Sequence, residues 1–392
     1  MDFELNEEQQ RWREEVRAFI VEHLTPELAE ELKVTRITHA EGPEEKRFSR
    51  QLAERGWNGL LWPKEYGGLE RSAIEQFILI EELEYAGAPR IDITVTSIGP
   101  MIMRHGTEEN KRMWLPRIIA GDVTCALGYS EPDAGTDLAN LSTRAVLDGD
   151  EWVINGQKTW NSAAHRCTHE WLTVRTDPDL AKHKGISVIM VPITAPGIDI
   201  HPIDTWGETR TNQVFFSDVR VPRNHLIGEV NQGWEYMRGA LVLERAGIGR
   251  PGGLRRLLDD VIDYCKTTIV DGELLGSRPD VQTKLAELDM ELEVARLLFY
   301  RCASLVDAGE IPTALATMTK VYFTELRTRL TGWAMEVAGM YGQLSHHDER
   351  APSGGAAEWL YRFSPVQRFG GGTNEVMRDI IAQVGYALPR SR

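Results

Sequence analysis

Ser130-Glu131-Pro132-Asp133-Ala134-Gly135-Thr136-Asp137, with Asn155-Gly156-Gln157-Lys158-Thr159-Trp160-Asn161-Ser162 downstream of it, is the stretch that decides how this chain reads. The first segment is a turn of small residues, rich in hydroxyls and backbone N–H groups. The second sets an indole beside a hydroxyl. Trp152-Val153-Ile154 runs into Asn155-Gly156, which predicts a hairpin turning at that dipeptide. From Thr124 to Val221 the chain is rich in Val, Ile and Thr, with turns at short intervals. Trp171 to Arg175, Ser187 to Val191 and Gln213 to Phe216 read as strands. Pro192, Pro196, Pro202 and Pro222 mark loops or strand edges. The middle of the chain is therefore expected to be all-β, as a barrel or sandwich.

Outward from this region the period changes. Asn6 to about Gly121 reads as helical. Glu8 to His23 carries Trp12, Val16, Phe19 and Ile20 at helical spacing. Trp57 to Leu69 reads as a loop, and Ser72 to Tyr85 and Glu108 to Ile119 as further helices. After Gly233, Leu254, Leu257, Leu258, Val261 and Ile262 repeat with helical spacing, as do Leu285, Leu288, Leu292, Ala295, Leu298 and Phe299. Ala314 to Met340 is a long helical pattern, Gly370-Gly371-Gly372 is a break, and Asn374 to Val384 a last helix. Consecutive amphipathic helices of this kind predict a bundle.

The 392 residues carry 44 Lys and Arg against 59 Asp and Glu, a net charge of −15, with no basic run. A nucleic-acid backbone needs a basic stripe, so no nucleic-acid partner is expected. No apolar run reaches the length of a membrane span, so no membrane partner is expected either. Cys125, Cys167, Cys265 and Cys302 are scattered without a C-x-x-C pair, and the acidic start Met1-Asp2-Phe3-Glu4-Leu5 lacks an apolar signal region. A reduced, cytoplasmic protein is expected.

The two opening motifs at their spacing, and the order helical, β, helical, resemble the acyl-CoA dehydrogenases over nearly the whole length. Phe215 to Pro222, Gly233-Trp234, Gly372-Thr373-Asn374-Glu375 and Ala387-Leu388-Pro389-Arg390 extend the resemblance. It implies an α+β multidomain fold: an N-terminal helical domain over 1–121, a middle β-barrel flavin domain over 122–228 and a C-terminal four-helix-bundle domain over 229–392. It implies FAD, an acyl-CoA substrate and an electron-transferring flavoprotein as electron acceptor. A homotetramer or heterotetramer is also implied, and no metal.

The reaction so implied removes a proton from the α-carbon and a hydride from the β-carbon of a thioester. It needs a buried base, hydrogen bonds to the thioester oxygen and a flavin. By resemblance, Leu127, Tyr129 and Ser130 lie along the flavin ring and Thr136 near its pyrophosphate. Trp160 covers a ring face, and Ser162 offers a hydroxyl or N–H. On pattern alone Trp160 reads as a barrel core residue and Ser162 as a loop hydroxyl; the resemblance reverses that reading. Many relatives place a catalytic Glu where this chain has Gly371. A second group, the isovaleryl and long-chain types, places it on an earlier helix before an Arg, matching Leu243-Glu244-Arg245. Glu244 is therefore the expected base; otherwise it is a surface Glu on an amphipathic helix. The Gly371 N–H would bind the thioester oxygen, and its missing side chain would leave room for a bulky acyl group. Otherwise the glycine run is a loop needing positive φ.

Val242, Leu243 and Arg245 match positions that touch CoA, with a structural ion pair as the alternative for Arg245. Thr373 and Glu375 match positions that reach a neighbouring subunit's flavin, or else serve as helix N-cap and first-turn acid. The Arg-x-x-Phe-Gly segment of many relatives is missing: Lys266-Thr267-Thr268-Ile269-Val270-Asp271-Gly272-Glu273 stands there. Actinobacterial-type members that degrade steroid side chains share this pattern, and some are heterotetramers with incomplete flavin sites. A non-catalytic partner subunit is thus the alternative to an enzyme.

Other motifs mislead. Gly247-Ile248-Gly249-Arg250-Pro251-Gly252 satisfies G-x-G-x-x-G, with Asp271 as a ribose partner, but helix formers precede it where a dinucleotide fold needs a strand. His165 and His169, at i and i+4 around Cys167, lack a third ligand. His346-His347 reads as a polar loop.

Overall fold

The computed structural model describes residues 4–38, 41–248 and 251–389, with backbone only for 36–38 and 245–248. In chain order the helices are α1 (Glu7–His23), α2 (Pro26–Thr38), α3 (Pro43–Glu54), α4 (Ala73–Ala86), α5 (Gly99–His105) and α6 (Glu108–Ile119). The strands follow: β1 (Cys125–Gly128), β2 (Arg144–Asp148), β3 (Glu151–Thr159), β4 (His169–Arg175), β5 (Ile186–Pro192), β6 (Ile198–Asp204) and β7 (Arg210–Pro222). Then come α7 (Gly233–Ile248), α8 (Pro251–Thr267), the short strands β8 (Ile269–Val270) and β9 (Glu273–Leu274), α9 (Pro279–Asp307), α10 (Thr313–Val337), α11 (Ala356–Phe369) and α12 (Asn374–Ile380). The chain forms two compact units, one of residues 1–25, 72–90 and 245–392 and one of residues 26–71 and 91–244.

In the first unit the apolar stripe of α1 is buried: Trp12, Val16, Phe19 and Ile20. Its Asn6 and Gln9 form a reciprocal capping box, which satisfies helix-end donors that would otherwise lack partners. Trp12 donates from Nε1 to the Glu75 carbonyl at 2.9 Å. The shared core joins Phe77 of α4 to Leu254, Leu257 and Leu258 of α8, to Leu288, Leu292 and Phe299 of α9, and to Phe323, Leu326 and Leu330 of α10. The helical spacing in the sequence thus marks the buried faces. The α10 helix stops at Val337, where Gly339 takes a positive φ of 57° and one turn of 3-10 helix begins. The reading to Met340 overran it by that turn.

In the second unit the sheet order is β1-β4-β2-β3-β7-β6, with β5 paired to β4. Ala126, Ala145, Trp152, Ile154, Leu172, Val174, Ile189, Val191, Val214, Phe216, Val219 and Val221 form its core. Pro202 lies inside β6, the outermost strand beside β7, where a missing N–H is tolerated.

One expectation is overturned. Asn155-Gly156 is no hairpin turn: β3 runs straight through it, and the chain reverses at Gly149 (φ 62°), with Asp148 opposite Glu151. Asn155-Gly156 instead forms a bulge against β7, where the register shifts between Ile154 and Gly156. Gly156 is required there because its φ is 148° and a Cβ would come within 2.6 Å of Thr143 Oγ1. Asn155 serves the bulge by accepting from the Asp218 N–H at 2.9 Å and donating to its carboxylate at 2.9 Å.

Candidate active site

The two opening motifs meet in space. The Thr159 N–H donates to the Ser130 carbonyl at 2.9 Å, so the loop after β1 is stitched to the end of β3. Glu131 anchors that loop from below. It is buried and accepts from the Ser142 N–H (2.6 Å), the Ser142 hydroxyl (2.8 Å), the Thr143 N–H (2.9 Å) and Lys158 Nζ (2.8 Å). Burial pushes the Glu131 carboxyl up, but Lys158 and these hydrogen bonds outweigh it and hold it at about 2. Burial also lowers the proton affinity of Lys158, with Glu131 opposing. The anchored loop leaves Gly135 and Thr136 exposed. Among the described residues their backbone N–H groups donate to nothing.

Trp160 is not a core residue: its side chain is 61% exposed and its backbone is left-handed, with φ 65°. Ala163 is left-handed too, at φ 64°. Two such non-glycine residues in one turn are a local strain held by surrounding structure. Ser162 is exposed, but its N–H is spent on the Trp160 carbonyl at 2.9 Å. Only its hydroxyl, 3.4 Å from Thr211 Oγ1, remains to serve a ligand.

On β1 and just after it, Leu127 and Ser130 are half-buried and Tyr129 is buried. The Tyr129 hydroxyl is buried beside the Trp171 indole. Burial pushes that phenol up, and the charge of Glu244 pushes it further. Glu244 is half-buried on α7, and its charge reaches Tyr129, the residue that follows β1. The helix is fixed by Ser97, whose hydroxyl donates to the Ala240 carbonyl at 2.8 Å, and by Tyr236, whose ring stacks on His105 at 4.7 Å. Val242 and Leu243 are half-buried beside Glu244; the Arg245 side chain lies outside the described residues.

Gly371, Thr373 and Glu375 belong to the other unit. Their loop is pinned by Lys320 of α10, which is fully buried. Its ammonium donates to the Arg368 carbonyl (3.2 Å), the Gly372 carbonyl (2.9 Å) and Asn374 Oδ1 (2.8 Å). Gly371 and Gly372 take φ of 66° and 103°, which glycine adopts without strain. The Thr373 hydroxyl accepts from the Val376 N–H at 3.2 Å, so it caps α12. Glu375 is an exposed first-turn acid, held below its usual range by its own backbone N–H and by Thr373. Sequence reasoning missed Lys158 and Lys320 because a lysine reads as a surface residue until its distant partners are known.

The decoys resolve physically. Gly247 and Ile248 end helix α7 and Pro251 opens α8, with no strand before them; Gly249 and Arg250 lie outside the described residues. Asp271-Gly272 is the turn of the exposed β8–β9 hairpin, with φ of 53° and 85°. His169 packs edge-on against Trp114 at 5.2 Å, and burial holds it at about 4. His165 faces Asn212. Among the described residues no group of three or more His, Cys, Asp or Glu could hold a metal ion, and no helix is long and apolar enough to cross a membrane.

Comparison with known proteins adds the family. The model of the acyl-CoA dehydrogenase N-terminal domain matches residues 6–122, that of the middle domain 126–219 and that of the C-terminal domain 231–386. The chain belongs to the acyl-CoA dehydrogenase family, a flavoprotein family. It is 41% identical to acyl-CoA dehydrogenase FadE26 of Mycobacterium tuberculosis, covering 98% of each chain. Against FadE29 of the same organism it is 37% identical, covering 100% of this chain and 99% of that one. Its structure is similar to a steroid acyl-CoA dehydrogenase, Tcur3481-Tcur3483, with a TM-score of 0.92, 39% identity and full coverage of both chains. The ChsE4-ChsE5 complex from Mycobacterium tuberculosis is similar at a TM-score of 0.91 and 40% identity, again with full coverage.

The residues present fit a flavin dinucleotide. An exposed indole in a fixed left-handed turn offers a flat apolar face, and the unspent N–H groups of Gly135 and Thr136 suit a pyrophosphate. Tyr129, next to Ser130 in the chain, is buried within reach of the Glu244 charge.

Proposed function

We propose that this chain is an FAD-dependent acyl-CoA dehydrogenase, converting an acyl-CoA thioester to its trans-2-enoyl-CoA with Glu244 as the base. The observation that carries this reading is the reach of the Glu244 charge to the buried Tyr129 hydroxyl, next to Ser130 and the Trp160 turn. Leu127, Tyr129, Ser130 and Trp160 would hold the ring system, the Ser162 hydroxyl its polar edge, and the loop at Thr136 its pyrophosphate. FAD, when bound, supplies the hydride acceptor. Glu244 takes the α-proton, and a carboxylate shielded from water by the acyl chain is the stronger base. The Gly371 N–H polarises the thioester oxygen, and Val242, Leu243 and Arg245 hold the CoA moiety. Thr373 and Glu375 would face a neighbouring protomer's flavin, with Thr373 acting through the helix end that it caps. An electron-transferring flavoprotein would be the electron acceptor.

The acyl group we propose is bulky, of the steroid side-chain class. A glycine at 371 leaves room for it, and a solved relative is named a steroid acyl-CoA dehydrogenase. An anaerobic titration with straight, branched and steroid side-chain acyl-CoAs tests this. Bleaching of the bound flavin by the bulky thioesters supports it; bleaching by straight chains alone refutes the substrate class.

A second reading, a partner subunit that lends residues to another chain's flavin, has its own support. The segment without Arg-x-x-Phe-Gly is an exposed two-stranded hairpin, and a solved relative is a complex of two differently named proteins. Flavin per protomer in the chain purified alone separates the two: near one for an enzyme sufficient in itself, near zero for a partner.

A further inference from the structure

Behind the Trp160 turn lies a carboxyl group that the proposed chemistry does not use. Glu170 is fully buried on β4, opposite Ala126 of β1 and Val191 of β5. Asn161, also fully buried, donates from Nδ2 to the Leu127 carbonyl at 3.2 Å and to Glu170 Oε1. That spends both amide hydrogens. Two acceptors are then left over, Glu170 Oε2 and Asn161 Oδ1, both buried without a partner. As a carboxylate, Glu170 would leave both of these buried oxygens without a hydrogen to accept. One proton removes the conflict: an Oε2–H donates to Asn161 Oδ1 while Asn161 Nδ2 donates to Oε1, a closed acid–amide pair.

The charged neighbour is Lys158 on β3. Its three hydrogens are spent on Glu131, the Tyr129 carbonyl and the Thr173 hydroxyl. Cys125 on β1 and Cys167 in the turn before β4 face Glu170 as neutral thiols, both pushed up by burial. His165 turns towards Asn212. Gly128 makes room for the pair, because a Cβ there would meet Glu170 Oε1 at 2.5 Å.

We propose that Glu170 is a positioning residue: held as a neutral acid, it closes a two-bond ring with Asn161 and so fixes the strained turn of Trp160 and Ala163. Asn161 is the residue between the left-handed Trp160 and Ser162, and its backbone is locked to Asn212 by bonds of 3.0 and 2.8 Å. Side chain and backbone together determine the turn. The consequence for flavin rests on the function proposed above; the ring itself does not.

Burial moves the Glu170 carboxyl from 4.5 to about 8, with Lys158 and Asn161 opposing. A carboxyl raised in the fold contributes stability below its unfolded value, and this is lost as pH climbs towards its folded value. The test compares the wild type with Glu170→Gln, which keeps the two-bond ring without a titrating proton, and with Glu170→Ala. Thermal unfolding of flavin-free protein is followed from pH 5 to pH 9. The midpoint of the wild type should fall relative to Glu170→Gln as pH climbs to about 8 and then level off. A gap that does not change with pH overturns the neutral acid, whether or not flavin binds. FAD affinity should weaken about tenfold in Glu170→Ala, the worth of one lost buried hydrogen bond, and stay within about twofold of wild type in Glu170→Gln. Equal affinity in all three overturns the positioning role. A wild type that binds no FAD sinks the enzyme reading and leaves the unfolding comparison to judge the ring.

Discussion

At the scale of the residue, the middle domain keeps two carboxyl groups in one interior and drives them in opposite directions. Glu131 meets an ammonium and three further donors, so it stays ionised down to about 2. Glu170 meets one amide and a lysine already committed, so it is driven to the neutral form. Burial pushes both carboxyls up; the count of available hydrogens decides which of them stays ionised. Lys158→Met should destabilise the protein by about 3–5 kcal/mol at pH 7, because it leaves Glu131 buried without its cation. The sign with pH follows from a depressed carboxyl: the Glu131 contribution is present above 4.5 and is lost as pH falls through about 2. It is worth on the order of 3 kcal/mol before the opposing cost of burying Lys158 is subtracted. Urea unfolding between pH 5 and pH 2 checks this: the wild type should weaken more steeply than Lys158→Met, and parallel slopes would contradict the pairing.

At the scale of the element, glycines and buried lysines set the loops that carry the site. Gly156→Ala puts a methyl group against Thr143 in a backbone conformation foreign to L-residues. It should cost about 1–3 kcal/mol and loosen the bulge between β3 and β7; chemical denaturation reads the loss, and an unchanged midpoint would remove the bulge from this account. Lys320→Met removes a fully buried donor from three acceptors on the loop from Arg368 to Asn374. A loss of about 3 kcal/mol or more is expected, together with faster limited proteolysis near Gly371. The sequence conveyed much of this level. The stripes of α1, α8 and α9 and the strands β4, β5 and β7 could be read because their burial follows a local period. The bulge could not: Asn-Gly favours a tight turn locally, and only pairing with β7 and the contact with Thr143 turn it into an extended kink. Glu170, Asn161 and Lys158 escaped for a related reason. Their partners lie on other strands, and a polar residue in isolation reads as solvent-facing. Trp160 was ambiguous between core and ligand shelf until its left-handed backbone and exposure removed the core.

At the scale of the whole molecule, the family is established and the division of labour is the open term. The first unit exposes Phe369, Val384 and Tyr386 at its C-terminal end, and the second exposes Trp160 and Trp206. Large apolar side chains gathered into one patch suit coverage by a ligand or a neighbouring protomer. Sedimentation of the purified chain should therefore give an assembly larger than a monomer, and a sharp monomer would contradict the shared-site architecture. Everything proposed about catalysis converges on Glu244. The decisive measurement is anaerobic mixing of flavin-loaded wild type and Glu244→Gln with the best acyl-CoA of the panel. The wild type should bleach, while Glu244→Gln should hold its yellow flavin and its affinity for the thioester yet bleach at least about a thousandfold more slowly, as loss of the proton acceptor demands. Bleaching of Glu244→Gln at the wild-type rate would contradict the account at its centre.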